Sequence, residues 1–343
     1  MNIFNLHSGI INDYKSYIES FLSIKDERIK QKVDEEISKG HLWPEPLIQF
    51  NPTFQKGTSI LQLTKQGLLD DRLNAVFNGY DLYRHQVEAI EKGIAGKSFI
   101  VTSGTGSGKS LTFLATIFND LLKNNYSKGI KAILVYPMNA LINSQEEEIK
   151  KYAENFEKIT HQEFPISFAK YTGQENLSEK EEAREETPDI LLTNYMMLEL
   201  MMTRASEKKI RESIFDNLKY LVFDELHTYR GRQGADVSLL VRRINAKTKN
   251  DLICIGTSAT MASGGSKLDQ KKAVANVGKQ IFDKEFEHDQ IIGEYLENTT
   301  SAKTIEVHKL IESLDNEINS YGLAEEFIAH PLAIWIENKI ALT

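Results

Sequence analysis

A chain of 343 residues with 41% hydrophobic content can bury one large core or two ordinary ones. Its net charge of −8 excludes a bulk basic footprint for nucleic acid, so such a ligand has to be gripped locally by backbone N–H groups, hydroxyls and a few basic side chains. The single cysteine, Cys254, excludes an internal disulfide and a thiol metal site, and no apolar stretch approaches the ~18 residues of a membrane span. With no basic leader in the N-terminal stretch, a soluble cytoplasmic protein without membrane partners is expected.

Residues 10–38 carry a helical pattern with Tyr14, Ile18, Phe21 and Leu22 on one side. Prolines punctuate 43–51, which reads as an extended arm. From 98 to 260 six apolar runs (98–102, 132–136, 166–171, 190–193, 220–223 and 252–257) alternate with helical patterns, the signature of a parallel α/β sheet. The helix after the first run sets Leu114, Ile117, Phe118, Leu121 and Leu122 on one face and ends at Asn124-Asn125. The mixed charges of 146–151 and 179–186 read as solvated helix faces. Met196, Met197, Met201 and Met202, with Leu198 and Leu200, read as core packing, and Cys254 as a buried strand residue. Beyond the sheet lie helical patterns at 273–282 and 304–318 and a last segment at 331–342, where the chain ends on an apolar pattern without a cap. His161, His288, His308 and His330 show no metal-ligand spacing.

The first strand, Phe99-Ile100-Val101, runs into TSGTGSGKS at 102–110 and then into a helix. In such a loop Gly104, Gly106 and Gly108, with Thr105 and Ser107 between them, offer backbone N–H groups to phosphates, the glycines standing where a Cβ would clash. Lys109 would reach the β/γ-phosphates, Ser110 would hold Mg²⁺, and the helix N-terminus adds its positive dipole end. The first position is Ser103 where glycine is usual. A second apolar run, 220–223, ends in Asp224 and Glu225. Asp224 is placed to hold Mg²⁺ through the metal's water shell, and Glu225 to orient and deprotonate an attacking water. A surface turn plus a solvated acidic pair is the bland alternative, and two independent halves of one phosphoryl-transfer site argue against it.

Taken in order, Gln86 in LYRHQVEAI, SGTGSGKS, VYPMNALINSQ, YTGQ, LLTNYMML, DELH and TSAT resemble the motifs of the first RecA-like domain of superfamily two helicases, of the DEAD/DEAH-box (DExH) type. The flanking phrases PEPLIQFNP and DELHTYRGRQGADV are similar to bacterial helicases of DNA repair or phage defence. The resemblance implies an α/β fold: a RecA-like P-loop domain at 80–262 with a parallel sheet flanked by helices. A mainly helical and extended region at 1–79 and a helical extension at 263–343 would accompany it. It implies ATP and Mg²⁺ as cofactors and Gln86 as the adenine reader. Pro137, Asn139, Gly173, Gln174, Thr193 and Asn194 would lie in segments that touch the sugar-phosphate backbone of a single strand, DNA favoured over RNA. Asn139 stands where arginine is commonest. His227, Ser258 and Thr260 would couple the nucleotide to strand movement, and Arg230 and Arg232 would touch nucleic acid or a second domain, or line an ordinary exposed loop.

In this family a second RecA-like domain brings the arginines that neutralise the transferring phosphate, and here Arg243 is the last arginine. The expected reading is therefore the ATP-binding half of a nucleic-acid-dependent ATPase, an N-terminal fragment that lacks its second motor domain and is nearly inactive alone. The alternative is a stand-alone ATP-binding switch or one half of a split motor. Expected partners are single-stranded nucleic acid, the second domain in the same or another chain, and subunits of a defence or repair complex. Gln86 and TSAT argue against a non-helicase P-loop ATPase.

Overall fold

The computed structural model describes residues 3–39, 52–104, 106–259, 266–302, 304–314 and 324–342. The proline-punctuated arm at 43–51, Thr105 and Thr260 lie outside them. The chain divides into two compact units, 52–298 and 1–51 together with 299–343.

In chain order the strands are β1 (Lys56–Ser59), β2 (Asp81–Tyr83), β3 (Phe99–Thr102), β4 (Ala132–Tyr136), β5 (Phe168–Tyr171), β6 (Ile190–Asn194), β7 (Tyr220–Phe223), β8 (Ile253–Ser258) and β9 (Ile291–Gly293). The helices are α1 (Ile3–Ser20), α2 (Glu27–Ser38), α3 (Ile60–Lys65), α4 (Leu73–Val76), α5 (Arg84–Ile94), α6 (Lys109–Lys123), α7 (Asn139–Thr160), α8 (Leu177–Glu186), α9 (Tyr195–Thr203), α10 (Lys208–Asn217), α11 (Gly231–Asn245), α12 (Lys267–Phe282), α13 (Val307–Leu314), α14 (Ala324–Ala329) and α15 (Pro331–Ile336).

The larger unit is a RecA-like α/β domain. Its sheet has the order β5-β6-β4-β7-β8-β3-β9, and every pairing is parallel. A parallel sheet covered on both faces needs strands that are apolar throughout, and β3, β4, β6 and β7 are built that way. Side chains alternate between the faces. Phe99, Val101, Leu134, Leu192 and Val222 point to a core shared with α5, α6 and α7. Ile100, Ile133, Val135, Leu221 and Cys254 point to the opposite core, with residues of α9, α10, α11 and α12. Burial pushes the Cys254 thiol up to about 12, so it stays protonated and inert.

Five of the six apolar runs of the sequence match strands within one residue, and the sixth, 166–171, begins two residues before β5. β9 is a seventh strand, too short to show a period, and it attaches beside β3. Met197, Leu198 and Met201 are buried, whereas Met196 is exposed because the helical repeat turns it away from them. The 10–38 pattern is two helices: the Asp26 carboxylate caps α2 by accepting from Arg28 N and Ile29 N, and 21–26 breaks the run. In the smaller unit, Tyr14, Phe21 and Leu22 are exposed, and the Glu337 carboxylate gathers Thr299 N (2.7 Å) and Thr300 N (2.9 Å).

The charge run of α8 contributes more than a wet face. Arg184 forms a two-pronged ion pair with Glu207 (2.6 and 3.1 Å), which also accepts from the Tyr171 hydroxyl at 2.7 Å. The Glu207 side chain is 1% exposed. Burial pushes its carboxyl up, but hydrogen bonds from Arg184 and Tyr171 outweigh burial and hold it below the ordinary range. Glu207→Ala should destabilise the domain by about 3–5 kcal/mol, because it strands a partly buried guanidinium. A depressed carboxyl pKa adds stability above the unfolded value, about 4.3, and that stability is lost as pH falls through the folded value. The gap between wild type and variant should therefore close in acid. Urea titrations at neutral pH and near pH 4 measure both; a gap that widens in acid contradicts this account.

Candidate nucleotide and strand site

Because all seven strands run the same way, their carboxyl ends open on one edge. β3 is paired with β8 so that Thr102 lies level with Ser258, and β7 with β8 so that Phe223 lies level with Gly256. The loop after β3, the acidic pair after β7 and the end of β8 therefore emerge as neighbours. Ser103 N of the loop donates to Ser258 O at 3.2 Å, and one hydroxyl ties the acidic pair to the end of β8. Thr257 Oγ1 donates to Asp224 Oδ1 and accepts from Glu225 N at 3.1 Å. Burial raises the Asp224 carboxyl above its ordinary range, while the Thr257 hydrogen bond opposes the shift and the nearby Glu225 carboxylate adds to it. Glu225 takes a left-handed conformation, φ 54°, at a strain of about 1–3 kcal/mol. His227 Nδ1 lies 3.2 Å from Ser258 Oγ and 3.2 Å from Glu225 Oε2. The Glu225 contact lacks hydrogen-bond geometry, so the hydroxyl is the better partner.

The loop joining β3 to α6 is held by its surroundings. Ser103 Oγ and Ser107 Oγ are 2.6 Å apart, and both side chains are buried. Gln86 Oε1 accepts from Tyr83 N at 2.8 Å, and its Nε2 donates to the carbonyls of Ser107 (3.2 Å) and Gly108 (3.0 Å). The Gln86 amide thus grips the loop from α5. Gly108 has φ 69°, and a Cβ there would stand 2.4 Å from Gln86 Nε2, so a side chain would strain the backbone and push the Gln86 amide off the loop. Lys109 Nζ donates to the loop's own carbonyls, Ser103 O at 3.0 Å and Gly104 O at 3.3 Å. Ser110 is half-buried in the first turn of α6.

The other half of the edge, β5-β6-β4, carries the strand motifs. Tyr136 lies level with Asn194, which brings Asn139 and Asn194 together: Asn194 Nδ2 donates to Asn139 Oδ1 at 2.9 Å, and Asn194 Oδ1 caps α9. Pro137 is half-buried beside them, and Gly173 (φ 90°) and Gln174 are exposed after β5. Thr193 is buried, and its hydroxyl donates to Tyr171 O at 2.6 Å. Arg230 and Arg232 are exposed at the start of α11.

Several participants have no role assigned by motif reading. Thr257, the first residue of TSAT, sits at the end of an apolar strand. His85 is fully buried, with Nε2 3.0 Å from Ser107 O; a carbonyl can only accept, so Nε2 carries the proton. Burial lowers the His85 pKa and keeps the ring neutral. Its ring lies 5.8 Å from Tyr83 and 5.5 Å from Phe54, an aromatic group beside the loop. Glu175 accepts from Thr172 N and Gly173 N, so those donors of the YTGQ turn face inward. Glu294, after β9, accepts from Gly104 N at 2.8 Å. Glu175 and Glu294 are single polar residues outside the quoted motifs, which leaves no pattern to find.

Among the described residues no three His, Cys, Asp or Glu side chains gather into a metal cage. One hydroxyl and one carboxylate fit a hard cation that keeps water and phosphate as its remaining ligands. No helix among the described residues is long and apolar enough to cross a membrane.

A family model described as "DEAD/DEAH box helicase" matches residues 83–267. An uncharacterized ATP-dependent helicase of Methanocaldococcus jannaschii, MJ1574, is 34% identical over 186 residues, which is 53% of this chain and 26% of that protein. The Druantia protein DruE of Escherichia coli is 25% identical over 376 residues, 74% of this chain and 20% of its own. Among solved structures, the helicase MrfA bound to DNA and AMPPNP aligns with a TM-score of 0.57 at 22% identity, covering 77% of this chain and 34% of that one; the likeness is one of fold. The chain thus spans about a quarter or less of the curated relatives' length.

Thr257→Val keeps the shape of the strand residue and removes the shared hydroxyl. It should lower stability by about 1–3 kcal/mol, the cost of a buried acceptor left without its donor. It should also shrink the stabilisation that MgADP confers. Denaturant melts with and without MgADP give both values, and a variant indistinguishable from wild type in both would remove Thr257 from the site.

Proposed function

Because this chain belongs to the DEAD/DEAH-box helicase family, we propose that it is the ATP-binding half of a nucleic-acid-dependent motor that works on DNA in preference to RNA. The second RecA-like domain is supplied by the same or another chain. The observation that carries this reading is the convergence of the loop, the acidic pair and the His227–Ser258 pair on one sheet edge, where Thr257 joins the acidic pair to β8 and Ser103 N joins the loop to Ser258 O. The preference for DNA belongs to this proposal, and the MrfA neighbour solved on DNA is alike in fold. A cytoplasmic setting and partners from a defence or repair complex are part of the same proposal.

In this reading Lys109 leaves the carbonyls of Ser103 and Gly104 and turns its ammonium to the β/γ-phosphates. Mg²⁺, held by Ser110 and Asp224, would supply charge neutralisation between the phosphates. Glu225, strained and beside His227, orients the attacking water and takes its proton. Gln86 and the aromatic group of Phe54, Tyr83 and His85 border the base end. Pro137, Asn139, Gly173, Gln174 and Asn194 meet the sugar-phosphate backbone, while Thr193 supports the turn from beneath. Ser258 and Thr260 pass the state of the nucleotide to that half of the edge.

Lys109→Ala should abolish MgATP binding, whereas Glu225→Gln should retain it and stop hydrolysis in the complete motor. Lysine acts on ground-state phosphates, and the glutamate acts in the transition state. Residues 1–343 alone should bind nucleotide yet turn over well below about 1 s⁻¹, since no arginine follows Arg243 among them. Calorimetry and a phosphate-release assay test the pair of variants and the wild type; wild-type turnover by Glu225→Gln would eliminate Glu225 as the base.

Single-strand binding should be weak and mildly salt-sensitive. Two or three neutralised phosphates predict a slope of log affinity against log salt of about −1.5 to −2, at roughly 0.7 per phosphate. Base composition should matter little, because backbone contacts carry no sequence information. Titrating labelled strands over a salt series checks this, and a slope steeper than about −4 would reveal a basic surface outside these residues.

A further inference from the structure

Glu294 follows the edge strand β9, and its carboxylate takes the Gly104 N–H inside the phosphate loop at 2.8 Å. Gly104 is held at its other end as well, its carbonyl accepting from Lys109 Nζ at 3.3 Å. An anion therefore stands beside the loop that phosphates have to enter, and the cation they need is engaged on loop carbonyls. The loop is bonded to itself and to Glu294.

The residues after Glu294 form a strap. Tyr295 donates its hydroxyl to Glu88 Oε2 of α5 at 2.7 Å, and the Arg84 guanidinium lies over the Tyr295 ring at 4.2 Å. Tyr295 O accepts from Gln55 N at 2.7 Å, and Glu297 N donates to Thr53 O at 2.7 Å. One short segment thus joins the phosphate loop, the helix that carries Gln86, and the chain at 53–55. These last residues sit beside the points at which the chain enters and leaves the larger unit, Pro52 and Asn298.

We propose that Glu294 is a positioning residue of the nucleotide site: it holds the phosphate loop in its self-bonded arrangement, a nucleoside di- or triphosphate must displace its carboxylate from Gly104, and the strap at 295–297 carries that displacement to α5 and to Thr53 and Gln55. This rests on the reading of 102–110 as a nucleotide loop. The direction of the effect follows from charge. Removing the carboxylate removes both a competitor of the phosphates and the tether that keeps the loop closed, so nucleotide binds tighter. A charge-assisted hydrogen bond is about twice as strong as a neutral one, so a glutamine releases the loop in part and an alanine releases it fully.

The test titrates MgADP and MgAMPPNP into the full chain as wild type, Glu294→Gln, Glu294→Ala and Lys109→Ala, by calorimetry, with amide hydrogen exchange on peptides that contain Gln55 and Glu297. Glu294→Gln should bind about threefold tighter and Glu294→Ala about tenfold tighter than wild type. Nucleotide should speed exchange at the Gln55 and Glu297 amides of the wild type, and Glu294→Ala should show that faster exchange before nucleotide is added. A merely structural role would weaken binding in both variants. If Glu294→Gln, with an unchanged thermal midpoint, binds at wild-type strength or weaker while Lys109→Ala loses binding, the loop reading stands and the role of Glu294 is overturned. If wild type and every variant fail to bind either nucleotide, the loop reading falls and takes this proposal with it.

Discussion

Parallel pairing of β7, β8 and β3 in register is the constraint on which the rest of the site depends. With Phe223 level with Gly256 and Thr102 level with Ser258, residues far apart in sequence leave the sheet at the same height. Thr257 is then one step from both Asp224 and Glu225, and a single hydroxyl serves a carboxylate on one side and a backbone N–H on the other. A buried carboxylate without a donor is costly, and this hydroxyl offsets part of that cost while fixing the direction in which Asp224 points. A slip of one residue in β8 would turn Thr257 to the other face of the sheet.

The same sheet order separates two kinds of chemistry. The proposed nucleotide residues sit at the ends of β7, β8 and β3, and the proposed strand contacts at the ends of β4, β6 and β5. β4 and β7 are direct neighbours where the halves meet, and Asp224 N donates to Val135 O at 2.9 Å across that seam. A change in the position of Asp224 therefore bears on the backbone just before Pro137 and Asn139. Chains of packed strands with two arrangements are the physical means by which one site biases another.

Polar groups in both halves are turned on the protein itself. Lys109 rests on loop carbonyls, Glu294 on the Gly104 N–H, and Glu175 on the amides of Thr172 and Gly173. This arrangement satisfies donors and acceptors that would otherwise lie partly buried and unpaired. It also means that a ligand works by exchange: its binding free energy is the difference between the bonds it makes and those it displaces.

The sheet was largely legible in the sequence because its strands are continuous apolar runs of four to six residues, bounded by glycines and helical periods. The loop and the acidic pair were legible because phosphate binding demands glycines, a lysine and a hydroxyl at fixed spacing along one segment. β9 was not, since three residues carry no period, and neither was the turning outward of Met196. The roles of Thr257, His85 and Glu294 were beyond reach for a different reason. Each bonds a group between 22 and 190 positions away, and such pairings exist only once the strands are in register. The sequence by itself determined the parallel α/β class and laid out the glycine-rich loop and the acidic pair, because those are properties of local segments. Tertiary structure alone decided that Gln86 grips the loop, that Thr193 is buried beneath the strand motifs and that Glu294 holds Gly104, because hydrogen bonds are short and directional, and only the packed chain brings their partners within 3 Å or so.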